Sequence, residues 1–405
     1  MNDFYSNKKN LNILYHHRTQ GRGAEGVHIV SIVSELEKLG HSVVVLSPPG
    51  IEPLKTAGNA PVDKSSVKTS GIGSLWKFIS THLPNFIFEF IEIAYNIPSM
   101  RRLEKELSTK KYDILYERYA FYMISGAIKA KKHNIPFVLE ANEVSGIKER
   151  ARPQIFVKLC SKFERFLFSR CTAIHTVSSY LKEMIVNQNV NPDKITVTPN
   201  AIDPNKFTGE KDYADLKQKF KISQDATIIG FAGWFDKWDR LDLLIDVFQK
   251  LKQKHDKLLL LLVGDGAVLE QVKLKANQYG LMKDVIFTGA VDRASVHQYL
   301  SLLDIAVITH SNEFGSPVVM FEFMGLKIPI VAPKLMPITD VLVDRESALL
   351  FDTLNMSQLE SQLAFLIGNK TQQDKLSRAA YSQLMEKHTW RNNAIEIEST
   401  AQVGT

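Results

Sequence analysis

At 405 residues the chain is too long for one ordinary core, so two domains of about 200 residues each are expected. Its hydrophobic content of 44% and charged content of 23% are those of a folded globular protein and exclude a disordered or fibrous chain. The formal charge is +6, but 50 Lys and Arg are interspersed with 44 Asp and Glu, which suits anionic small molecules or an acidic membrane surface and counts against a nucleic-acid arm.

The opening MNDFYSNKKN lacks the apolar core and cleavage site of a secretory signal, and no run reaches the roughly 18 apolar residues of a membrane span. The expectation is a cytoplasmic protein, at most peripheral on the inner face of the cytoplasmic membrane. Cys160 and Cys171 stand without a Cys-x-x-Cys spacing or a nearby histidine pair, so they read as free structural thiols.

In chain order, short apolar runs alternate with segments of helical period. The first half offers strands at 11–17, 42–47, 112–117, 136–140, 173–178 and 195–199; the second at 227–233, 258–264, 285–290, 304–309, 328–332 and 348–351. Continuous apolar strands separated by helices mean parallel sheets covered on both faces. The fold class is therefore α/β, with two doubly wound domains joined by the Pro-, Asn- and Lys-rich stretch 199–226. The expected division is 1–205, 206–385 and a C-terminal helix over 386–405 packing toward the first domain. Ligands in open parallel sheets sit beyond the carboxyl ends of the strands, so the active site is expected in a cleft between facing domains, lined by loops that follow strands.

The first such loop is GRGAEG, 21–26. Gly21, Gly23 and Gly26 match a Gly-x-Gly-x-x-Gly spacing, which suits either a pyrophosphate at a helix start or merely a tight strand-to-helix turn. Arg18 and Arg22 beside it favour an anion. The next strand ends at Ser47 with no acid to hold a ribose, which disfavours a nicotinamide oxidoreductase. The second loop is SNEFGSPVVMFEFMG, 311–325. Gly315 turns, Ser316 can cap, Pro317 suits the first helical position, and the amides of Val318 and Val319 point out of a helix start that favours a diphosphate. Glu322 follows inside an otherwise apolar helix, placed to accept hydrogen bonds from sugar hydroxyls. The third, GFAGWFDKWDRLDLLI over 230–245, offers Lys237 and Arg240 as phosphate-clamping cations and Trp234 and Trp238 as stacking or packing groups.

With these residues in view, SPVVMFEFMGLKIPIVAP resembles the donor-site helix of the family-4 retaining glycosyltransferases (group 1). IHTVSSYLKEMI, KITVTPNAIDPNKF, LLLVGDGAVLEQVK, VIFTGAVDRASVHQYLSLLDIAV and HTWRNNA agree in order, so the likeness spans about 11–395. It implies a GT-B fold, two Rossmann-like domains with the nucleotide-sugar donor held mainly by the second, and a sugar transfer that retains anomeric configuration. In the family's fingerprint two glutamates stand eight apart; the second matches Glu322 and binds the donor ribose. Eight before it this chain has Phe314, and Glu313, one place early, is the candidate to approach the sugar, which makes Glu313 and Glu322 the candidate catalytic pair. The family's phosphate-binding Arg and Lys fall on Trp234 and Asp239, with Lys237 and Arg240 as substitutes. LYERY and LEANE resemble a branch whose first domain carries such text, so Arg118, Glu140 and Asn142 are acceptor-side candidates, strand-end structural roles being the alternative; Arg18 is a further acceptor-side candidate.

No Asp-x-Asp or clustered metal-ligand spacing occurs, so no metal or other cofactor is expected, only a nucleotide-sugar co-substrate. The expected acceptor is a glycan or lipid-linked glycan of cell-surface polysaccharide synthesis. Residues 75–97, aromatic and apolar around Pro84, could form a membrane-facing lip or an ordinary helix pair on the first sheet. A same-fold alternative is a nucleotide-sugar binding protein with weakened turnover.

Overall fold

The structure, a computed structural model, describes residues 10–21, 23–56, 84–147, 154–204 and 214–403. It divides into two units, Met1–Thr198 with Trp390–Thr405, and Pro199–Thr389. Each expected strand forms, with its ends shifted by a few residues.

The first unit holds β1 (Asn12–His16), β2 (Ser42–Leu46), β3 (Ile114–Arg118), β4 (Phe137–Ala141), β5 (Ala173–Thr176) and β6 (Ile195–Val197), in the order β2-β1-β3-β4-β5-β6. The second holds β7 (Thr227–Trp234), β8 (Leu258–Asp265), β9 (Val285–Phe287), β10 (Ile305–Val307), β11 (Ile330–Pro333) and β12 (Leu349–Phe351), in the order β12-β11-β10-β7-β8-β9. Every strand pairing in both sheets is parallel.

Burial explains the all-apolar strands. Leu260, Leu261 and Leu262 of β8 are each fully buried, alternately toward one core with the helix Leu241–Lys252 and toward another with the helix Val318–Gly325. Removing a side chain of that size from water contributes about 1.5–3 kcal/mol. The helix Val318–Gly325 is buried from Met320 to Gly325 and packs against β11 and the helix Lys370–Lys387. Apart from Glu322 it is apolar on every side because it is surrounded. Close backbone approach explains a glycine at the end of β8: a Cβ on Gly264 would stand 1.9 Å from the Gly233 carbonyl oxygen.

Chain order against sheet order fixes where a ligand can enter each unit. In the second, β7 leads to β8 and β9 on one side, then the chain returns to add β10, β11 and β12 on the other. The order reverses between β7 and β10, so the loops following those two strands flank the switch point. In the first unit the reversal falls between β1 and β3.

The unit boundaries differ from the expected 205 and 385. Asn200 already donates from its backbone N–H to Ser316 Oγ at 3.1 Å, and Ile202 bridges to Thr389, so the crossing begins at Pro199. The helix Trp390–Val403 belongs with the first unit: it lies on the helix Gly23–Lys38, with the Trp390 ring edge-on to His28 at 4.8 Å. Cys160 and Cys171 are buried and unpaired. Among the described residues no helix is long and apolar enough to cross a membrane.

Candidate functional site

At the switch point of the second unit, the loop after β7 carries Lys237, Trp238, Asp239 and Arg240, and the loop after β10 runs from Ile308 to Pro317. The two are tied together by His310, whose Nδ1 donates to the Trp238 carbonyl at 2.8 Å. Gly315 turns against Asn312, whose Oδ1 accepts the Gly315 N–H at 2.5 Å.

The helix start differs from the sequence expectation in one respect. Ser316 does not cap; its hydroxyl accepts the Asn200 N–H and its carbonyl accepts Asn200 Nδ2 at 2.7 Å. Pro317 holds the cap position, and no side chain caps the helix. A proline there has no side-chain acceptor to offer, so the outward amides of Val318 and Val319 lack an internal partner among the described residues. That leaves the anion-favouring end open rather than sealed.

Glu322 is one turn further in, 4% exposed, and it is paired: Arg293, on the loop after β9, reaches it with Nη2 2.5 Å from Oε1. Burial pushes the carboxyl above its usual range, and the Arg293 guanidinium pulls it back. The sequence expectation that a lone buried glutamate has a partner is met, but the partner lies 29 positions earlier. Arg293 sits in the stretch VDRAS after a strand; only the tertiary pairing marks it out. Glu313 is exposed on the β10 loop, close to the helix start in sequence.

The substitute cations are placed unequally. Arg240 adopts a left-handed backbone (φ 48°) and forks onto Asp242, with Nε and Nη2 each at 3.0 Å from a carboxylate oxygen. Lys237 is exposed; its backbone N–H donates to Asp236 Oδ1 at 2.8 Å, and its side chain meets no partner among the described residues. Asp239 is buried and accepts the Asp236 N–H at 2.8 Å. Burial pushes its carboxyl up to about 7, helped by Asp236 and opposed by that backbone bond. A carboxyl raised in the folded state stabilises fully below its unfolded value near 3.8, and that contribution is lost as pH rises toward about 7. Asp239→Asn should therefore raise the melting temperature at pH 8 while leaving it nearly unchanged at pH 4; an equal change at both pH values would show that Asp239 is ionised throughout.

In the first unit, Arg118, Glu140 and Asn142 come together at the carboxyl ends of β3 and β4. Glu140 is 3% exposed; Oε2 accepts Tyr15 OH at 3.1 Å and Tyr116 OH at 3.0 Å, and Oε1 accepts Asn142 Nδ2 at 2.6 Å and Arg118 Nη1. Burial would raise this carboxyl, but His28, Arg118 and the hydrogen bonds outweigh it and hold it down at about 2. Because burial also keeps His28 neutral down to about 4, Arg118 is the charge that acts near pH 7. Both Glu140 oxygens carry two partners, whereas Asn142 is half-buried. Arg18 stands apart from this cluster, its Nη2 on Glu92 Oε1 at 2.7 Å.

The glycines of 21–26 do make a tight turn. Gly21 has φ 63°, and a Cβ on Gly26 would stand 2.2 Å from the Gly21 carbonyl oxygen, so helix and turn meet in backbone contact. Arg22 lies outside the described residues. The donor-binding candidates are thus spread over both units, with Gly21 and Gly23 in the first and the others in the second. Among the described residues no three His, Cys, Asp or Glu stand together in a way that could hold a metal ion.

Two family models match in tandem: "Glycosyltransferase Family 4" over residues 25–206 and "Glycosyl transferases group 1" over 212–383. The chain belongs to this glycosyltransferase family. Its relatives include EpsF of Bacillus subtilis, 26% identical over 46% of this chain and 47% of its own length. The D-inositol 3-phosphate glycosyltransferase of Stackebrandtia nassauensis is 23% identical over 71% of this chain and 67% of its own. The UDP-Gal:alpha-D-GlcNAc-diphosphoundecaprenol alpha-1,3-galactosyltransferase of Escherichia coli is 24% identical over 60% and 62%. The chain thus spans about half to two thirds of the length of these curated relatives. Among solved structures, Anabaena HepE in complex with UDP superposes with a TM-score of 0.68 at 14% identity, over 96% of this chain and 100% of that one. A Rickettsia africae glycosyltransferase gives 0.73 at 14%, over 98% and 100%. These likenesses show that the chain has the GT-B fold.

Proposed function

We propose that the protein transfers a sugar from a nucleoside-diphosphate sugar to a glycan or lipid-linked glycan acceptor, with retention of configuration and without a metal ion, in the synthesis of a cell-surface polysaccharide. The observation that carries this reading is the uncapped helix start at Val318 and Val319 with a buried glutamate one turn beyond it. The amides and the macrodipole would hold the departing diphosphate, and Glu322 would accept the ribose hydroxyls. The bond from the anomeric carbon to the phosphate oxygen breaks as the acceptor hydroxyl adds on the same face, and its proton passes to the leaving phosphate. Glu313 is the candidate group beside the sugar. Support for the donor class comes from the UDP bound to HepE, and support for a lipid-linked acceptor from the diphosphoundecaprenol substrate named for the Escherichia coli relative.

Contact with a membrane surface would use Phe86, Phe90 and Ile97, which are 43%, 55% and 53% exposed; residues 75–83 of that segment lie outside the described residues. Co-flotation with anionic vesicles tests it, and failure to float would remove the membrane from this reading.

The test of function is incubation with UDP-, GDP- and ADP-sugars and a diphosphopolyprenol-linked acceptor, with and without EDTA, the product anomer being read by NMR. The expected product keeps the donor's anomeric configuration and forms equally in EDTA; an inverted product or EDTA-sensitive turnover would contradict the corresponding part. A second reading, a nucleotide-sugar binding protein with weakened turnover, is favoured by the buried Asp239 and by Trp234, both standing where the resembled family has cations. Tight donor binding with no transfer to any acceptor would select it.

A further inference from the structure

The second unit has an anion-favouring helix start but few cations able to serve it. Arg240 is committed to Asp242, Asp239 is a buried acid, and the exposed Lys237 side chain has no partner among the described residues to hold it in one position. A nucleoside diphosphate seated here would bring about three negative charges close to Glu322, and a preorganised cation would be needed to balance them. Arg293 has the right chemistry. Only its Nη2 is engaged, on Glu322; among the described residues its other nitrogens meet no partner, and its side chain is 53% exposed. A guanidinium presents five N–H donors in a planar fork, so one nitrogen can hold a carboxylate while the others take a phosphate.

The distances allow it. Glu322 follows Val318 by four residues, a rise of about 6 Å at roughly 1.5 Å per residue. The carboxylate that holds the guanidinium thus stands on the helix about one turn beyond the outward amides. The helices Val296–Leu300 and Val318–Gly325 share one face of the sheet, packing on the same core, so the loop carrying Arg293 and the helix carrying Glu322 open at the same carboxyl edge.

Resting on the donor-site reading above, we propose that Arg293 is the diphosphate-binding cation of this protein, held in place by Glu322, so that one ion pair positions both the ribose acceptor and the phosphate donor group. The alternative is that Arg293 serves only as counterion to a buried glutamate. The two differ in what the phosphates contribute to binding.

The experiment measures affinity for the preferred nucleoside diphosphate, for the nucleoside of the same base, and for inorganic pyrophosphate, on wild type, Glu322→Ala, Arg293→Ala and Arg293→Lys, each first checked for an unchanged thermal melt. The expected result for Arg293→Ala is a loss of about tenfold or more for the diphosphate and for pyrophosphate, with a smaller change for the nucleoside, and partial recovery in Arg293→Lys. If Arg293→Ala lowers diphosphate and nucleoside equally, or tightens the diphosphate, Arg293 is a counterion alone and the proposal falls while the donor site stands. If wild type binds no nucleoside diphosphate, or binds one with an affinity indifferent to Glu322→Ala, the donor-site reading falls and this inference with it.

Discussion

Glu322→Ala should weaken nucleoside-diphosphate binding by roughly 10²- to 10⁴-fold, because hydrogen bonds to a charged acceptor contribute about 1.5–3 kcal/mol each and two ribose hydroxyls face this carboxylate in the proposed complex. Fold stability should change far less. Truncation leaves Arg293 unpaired, but that side chain is half exposed and can be solvated. Glu322→Gln, which keeps one carbonyl acceptor, should fall between. Calorimetry on the three proteins checks this, and an affinity for Glu322→Ala within twofold of wild type would remove Glu322 from the donor site.

The largest stability effect is expected at Glu140. Glu140→Ala leaves Arg118, 9% exposed, as an uncompensated buried charge, and breaking such a pair costs about 3–5 kcal/mol. It also strips the acceptor from Tyr15 and Tyr116, both buried. Replacing both charges, as in Arg118→Met with Glu140→Leu, should recover most of the loss, since no buried charge then remains. Denaturant unfolding of the two variants decides it; a single variant as stable as wild type would mean that water reaches the cluster. The pH dependence follows the same pair. A carboxyl held at about 2 in the folded state contributes stability that is present above its unfolded value near 4.5 and lost as pH falls through about 2. Asp239 works in the opposite direction, losing its contribution as pH rises toward about 7.

Interactions within a few residues were legible in the chain, and those made across the fold were not. Apolar runs such as LLLLLVG had to be strands buried on both faces, and their alternation with helices dictated parallel sheets and pointed to the loops after β7 and β10. Glu322 stood out as the lone charge in an apolar helix. Ser316 reads locally as a cap, yet Asn200, more than a hundred residues earlier, takes its hydroxyl. Arg293 carries no local signal at all, because its meaning comes from the register of β9 beside β8 and of β10 beside β7. Arg240 shows the reverse case: Asp242 was two residues away in the sequence, and the fork between them weakens its claim as a free phosphate cation. Glu140 could be placed at a strand end from sequence, but its four partners come from β1, β3 and the loop after β4.

The most direct measurement is a crystal structure of the protein with the nucleoside diphosphate it binds most tightly. The expected density places the diphosphate on the amides of Val318 and Val319 and the ribose hydroxyls within hydrogen-bond distance of Glu322. Density for the diphosphate at the Gly21–Gly26 turn instead, with Glu322 still in contact with Arg293 alone, would contradict the assignment of the donor site to the second unit.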